Sequence, residues 1–260
     1  MPSSCGSAKP HLEYMFMSRL ALISISVAVA LAVLVVAIAL AVKSGSFPYH
    51  WFFDVQKISP RRYVQSSDAD GNAAHLRNIG VAQARVARYV GPLRSDPVWI
   101  ICNSSECYWE ITGNGFKASA FGSFLIVVSP RAHSVEFLAH ELLHVELSSR
   151  LSSSAIKQVP AWFNEGLAVL VSEDPRFTSR TQSWQRLNCI EEYDEFFSQI
   201  ATDYETTYSM ALSCVAPWFG KAGEGGFSKI IDLLNAGAKR FEIFEPIRAN
   251  AISNAGNPPQ

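Results

Sequence analysis

The chain has 260 residues, a formal net charge of −1 and a hydrophobic fraction of 48%. That length suits one ordinary domain with additions. The near-neutral charge gives no reason to expect nucleic acid as a partner.

The apolar residues are not spread evenly. Residues 1–18 are short and polar and carry no folding signal. Leu20 to Val42 then form one run without a charge, bracketed by Arg19 and Lys43, in which only Ser24 and Ser26 are polar. About 20 apolar residues suffice to cross the hydrocarbon core as a helix, so a transmembrane anchor is expected over residues 19–43. A cleaved signal peptide is the competing reading. Its apolar core is usually only about 7 to 15 residues long, although Ala39-Leu40-Ala41 resembles a small-residue cleavage site. Met15 and Met17 are alternative starts.

Two signals bear on which side of the membrane the remainder lies. Lys9 and Arg19 precede the run, whereas Lys43, Lys57, Arg61 and Arg62 follow it. That imbalance mildly opposes export, but the rule weakens when a long domain follows. Cysteine usage points the other way. Cys102, Cys107, Cys189 and Cys214 follow the run and Cys5 precedes it. An even number beyond the anchor is compatible with two disulfides in an oxidising compartment. Four unpaired, partly buried thiols are the alternative. An extracytoplasmic (periplasmic or extracellular) domain is the expectation.

Residues 44–72 contain Ser-Gly-Ser, Pro48, Pro60 and Ser66-Ser67-Asp68 and read as a juxtamembrane linker. The aromatic group Phe47, Tyr49, Trp51, Phe52 and Phe53 suits either the membrane interface or a cap on the domain core. A domain is expected over residues 73–250, with a tail at 251–260. It opens on a helix over 73–91, where Leu76, Ile79, Val86 and Val90 recur near helical spacing and Gly91-Pro92 ends the pattern. Val98–Ile101, Tyr108–Thr112 and Phe124–Val128 read as strands, with Gly113-Asn114-Gly115 as a turn. Helices are expected from Ser134 to about Arg150, from Pro160 to about Ser172, and over 189–220 and 227–236. Asn103-Ser104-Ser105 fits a glycosylation acceptor in a eukaryotic secretory setting.

The decisive stretch is Phe137-Leu138-Ala139-His140-Glu141-Leu142-Leu143-His144, which contains His-Glu-x-x-His. Residues four apart on a helix share a face, so His140 and His144 can offer two imidazoles to one metal ion. Glu141, next around the helix, can reach a water held by that ion. A catalytic zinc normally takes three protein ligands, and the candidates for the third are His133, Glu146, Glu165, Glu173 and Asp174. Glu165 stands in the apolar stretch Val159-Pro160-Ala161-Trp162-Phe163-Asn164-Glu165-Gly166-Leu167-Ala168. A carboxylate there is costly to bury without a partner, and a zinc ion would compensate it; a buried salt bridge or simple exposure are the alternatives.

His-Glu-x-x-His followed by Pro-x-Trp-Phe-x-Glu-Gly-x-Ala resembles the gluzincin metallopeptidases, specifically the compact peptidase MA-like group. The two motifs carry nearly all of the resemblance, which spans roughly residues 96–245. It implies zinc at His140, His144 and Glu165 and Glu141 as general base. It also implies a peptide or protein substrate pairing with an edge strand, for which Phe124–Val128 is the counterpart here. Tyr204-Glu205-Thr206-Thr207-Tyr208-Ser209-Met210-Ala211 resembles the family's tyrosine-bearing helix, with Tyr208 as the oxyanion stabiliser and Tyr204 in reserve. Val169 stands where many gluzincins carry an acidic residue behind a ligating histidine. The expected fold is α+β, mainly helical and zincin-like, with a small mixed sheet before the active-site helix. The alternative function is a non-catalytic binding or scaffold domain tethered to the membrane. Oligomeric state is not legible.

Overall fold

A computed structural model describes residues 25, 27–42, 47–66, 68–177 and 189–255. They fall into two units, Met1–Phe47 and Pro48–Gln260. In the first, residues 27–42 form helix α1, and its large apolar side chains, Val27 to Leu40, are exposed. Residues 19–24, 26 and 43 of the expected anchor, with the polar segment before it, lie outside the described residues. Among the described residues no helix is long and apolar enough to cross a membrane.

The second unit is α+β and mainly helical. Its strands are β1 (Gln56–Ser59), β2 (Arg62–Val64), β3 (Val98–Ile101), β4 (Ala118–Phe121) and β5 (Leu125–Val128). They form one mixed sheet in the order β1-β2-β3-β5-β4. The pairs β2/β3 and β3/β5 are parallel; β1/β2 and β4/β5 are antiparallel. β3 is buried along its whole length, which explains its unbroken Val-Trp-Ile-Ile run: a central strand covered on both faces has no polar side to display.

Its helices are α2 (Ala69–Val90), α3 (Ser105–Thr112), α4 (Val135–Arg150), α5 (Ala161–Ser172), α6 (Tyr193–Thr202), α7 (Tyr204–Asn235) and α8 (Arg240–Ala255). One apolar core joins the sheet (Trp99, Ile126) to α4 (Leu138, Leu142) and α5 (Trp162, Phe163). Burying each such side chain contributes roughly 1.5–3 kcal/mol, so the sheet and both motif-bearing helices are held as one body. Two disulfides, Cys102–Cys107 and Cys189–Cys214, add covalent ties. The second links the segment before α6 to α7.

Three expectations are corrected. Tyr108–Thr112 is helical, not a strand: Ser104 caps the first turn by accepting the Cys107 N–H at 3.2 Å, and Gly113 closes the last turn at φ +66. A capped N-terminus and a left-handed glycine at the C-terminus outweigh the β-preference of Tyr, Trp, Ile and Thr. Residues 56–64, expected as linker, contribute β1 and β2 to the sheet. The strand around Phe124–Val128 is internal, paired on both sides, and the edge is β4.

α5 and α7 approach unusually closely. A Cβ added to Gly166 would overlap the Ala211 carbonyl oxygen. Only glycine lets the two backbones meet there, one residue from Glu165 and one helical turn from Tyr208.

Candidate metal centre

His140 and His144 project from one face of α4, with ring centroids 4.8 Å apart. Glu165 arrives from α5. Its Oε2 lies 3.3 Å from His140 Nε2 and 3.6 Å from His144 Nε2. One ligand atom from each of the three residues lies within 4.8 Å of the others, an arrangement that could hold a metal ion. Glu165 is 5% exposed. Among the described residues no lysine or arginine pairs with it, and the two imidazoles are its only ionic partners.

The electrostatics follow from that closeness. Burial alone would raise the Glu165 pKa, but the two imidazoles override it and hold the carboxyl well below its ordinary range. Burial alone would lower the His144 pKa, yet the Glu165 carboxylate reverses this and raises it to about 9. Glu141 behaves differently: burial pushes its pKa up, against the neighbouring histidines and the nearby Ala120 backbone on β4. The base candidate thus faces the edge strand across the cleft.

The other candidates for third ligand are engaged elsewhere. Glu146 is fully buried and accepts bonds from the Ser95 backbone (2.7 Å) and from Arg150 Nε (2.9 Å). His133 meets the Cys102 carbonyl through Nε2 at 3.0 Å. Glu173 accepts from Arg88 and Tyr89. Asp174 pairs with Arg176 at the cleft wall.

Sequence reasoning missed the support behind His144. Asn164 places Oδ1 3.0 Å from His144 Nδ1, while its Nδ2 donates to the Tyr193 hydroxyl at 2.7 Å. With its amide hydrogens turned to Tyr193, Asn164 accepts from His144 Nδ1–H. With Nδ1 committed to Asn164, Nε2 is the ring nitrogen on the Glu165 side and the one that would ligate a metal. Val169 is buried against Phe177 and Leu212 and takes no part. Position in the sequence beside Glu165 was the one signal for Asn164; Tyr193 gave none, because its approach depends on where α6 docks.

Tyr208 packs its ring 5.8 Å from that of His140, against Phe177, Phe196 and Tyr204. Its phenol makes no hydrogen bond among the described residues; the neighbouring Tyr204 ring lies 5.9 Å from the Arg176 guanidinium. The cluster opens into a cleft of about 520 Å³, walled by β4, α4, α5, α6 and α7. Compared with known proteins, the chain matches no family model and no curated protein.

Proposed function

We propose that the chain is a zinc-dependent peptidase of the gluzincin type, tethered to a membrane by its N-terminal apolar segment. One observation carries the reading: among the described residues a buried carboxylate is compensated only by two imidazoles, with ligand atoms of all three within 4.8 Å of one another and a second carboxylate beside them. Such a carboxylate is expensive to bury unless a cation joins it, and two histidines with one glutamate suit a catalytic zinc that keeps an open position. When bound, zinc supplies the Lewis acidity that activates water and polarises a carbonyl.

The chain's own residues divide the remaining work. Glu141, its pKa raised by burial, takes a proton from the attacking water and returns it to the leaving amine. The free phenol of Tyr208 donates to the developing oxyanion. Asn164 keeps His144 in the ligating tautomer. The outer edge of β4, the last strand of the sheet, offers backbone groups to an extended substrate, as strand-adding peptide sites do. The exposed apolar side chains of α1 support the tether, and the two disulfides support an extracytoplasmic side.

The test is zinc stoichiometry of the full chain together with cleavage of a peptide library, with and without a chelator. Glu141→Gln should retain the metal and lose turnover by about 10²–10⁴-fold, the usual contribution of a general base. Full activity in that variant removes Glu141 from the mechanism. A chain that binds zinc, folds and cleaves nothing fits a binding or scaffold domain instead.

A further inference from the structure

The cleft holds a cation that the reading above does not use. Lys117 immediately precedes β4, and its Nζ lies 5.3 Å from the Phe137 ring centroid and 5.0 Å from that of Tyr204. The Arg176 guanidinium brackets the same two rings, at 4.6 and 5.9 Å. Phe137 is one turn before His140 on α4, and Tyr204 one turn before Tyr208 on α7. A helical turn is about 5.4 Å, and an extended peptide advances about 3.3 Å per residue. The two cations therefore flank the path of a bound peptide within one or two residues of the bond to be cut.

Their charges are not equally spent. Arg176 is matched by Asp174, whose two carboxylate oxygens it engages. Arg131, the third cation of the cleft, donates to the Gly115 carbonyl at 3.1 Å. Lys117 makes no ion pair among the described residues. The aromatic faces beside it return only about 0.5–2 kcal/mol, and burial together with the Arg176 and Arg131 charges lowers its pKa. A half-buried ammonium beside two like charges, opposed by the Asp174 carboxylate that Arg176 already engages, faces a substrate-sized cleft and is a place for an anion.

We propose that Lys117, with Arg176 beside it, is a specificity determinant that selects a carboxylate on the substrate, either an acidic side chain next to the cleaved bond or a free C-terminus. This rests on the peptidase reading, so the test separates the two. Binding is measured with the zinc-loaded full chain carrying Glu141→Gln, using fluorescent peptides that differ only in Glu against Gln, and in a free against an amidated C-terminus. The Glu/Gln arm reports a side-chain carboxylate; the free/amidated arm reports a terminal one. In at least one arm the carboxylate peptide should bind about tenfold tighter, the size of a charge-assisted hydrogen bond.

Adding Lys117→Met should bring that ratio close to one, Lys117→Arg should keep it, and Lys117→Glu should turn the preference toward a Lys-bearing peptide. Equal affinities in both arms, or a preference that survives Lys117→Met, overturn the proposal. Cleavage of the same peptides by the wild-type chain is read separately. Cleavage without a carboxylate preference sinks only the specificity claim, and a preference without cleavage sinks only the peptidase reading.

Discussion

Glu146 and Glu165 are both buried glutamates on neighbouring helices, and they are buried for opposite reasons. Glu146 is saturated. It accepts from the Arg94 and Ser95 backbones and pairs with Arg150 one turn along α4; Arg150 in turn donates to the Pro92 carbonyl at 2.7 Å. That network staples α4 to the loop that leads into β3. Glu165 has no such provision: two imidazoles stand where a guanidinium would, and no backbone N–H reaches it among the described residues. A buried carboxylate with complete partners is a structural part, whereas one facing only imidazoles, which can give up their protons, leaves room for a cation.

Three substitutions test that contrast. The largest effect on folding should come from Glu146→Gln, which leaves the Arg150 charge buried without its partner. Removing one member of a buried pair costs about 3–5 kcal/mol, and thermal unfolding should show the loss equally with and without chelator. Glu165→Gln should invert that signature. The metal-free chain should lose less stability than Glu146→Gln, because the histidines left behind can stand neutral, while zinc affinity falls by more than about 100-fold, or about 2.7 kcal/mol, the upper end of what losing an outer partner of a ligand costs. A competition titration against a coloured chelator reads this directly. If both variants behave alike, the two carboxylates do not differ in kind. The smallest effect is expected from Asn164→Ala, which frees the His144 ring: zinc affinity should drop by about 10–100-fold, with zinc still bound at saturation.

How much of this was legible depended on how far each signal travels along the chain. His140, Glu141 and His144 share one helical turn, so the helix period places them by itself. Glu165 stood out because a charge inside an apolar helix demands an explanation. Its meeting with α4, more than a helix length away in sequence, required the two motifs to be read together. Helix α3 was misread although its caps, Ser104 and Gly113, were visible, because the side chains between them favour strands. β4, with its Ala-Ser-Ala-Phe sequence, carries almost no β-signal; it exists because β5 pairs with it. The roles of Asn164, Tyr193 and Lys117 follow from the docking of α6, α7 and the sheet edge around the cleft, which no local pattern encodes.

The contact at Gly166 has a consequence for how this cleft can change. Because the α5 backbone rests directly on that of α7, the spacing between the Glu165 carboxylate and the Tyr208 ring is fixed by main chain rather than by adjustable side chains. The Glu165 carboxylate and the phenol are in effect mounted on one rigid bracket. Sequence drift can restyle the floor and rim of the cleft freely, but any side chain at this joint would displace both groups together.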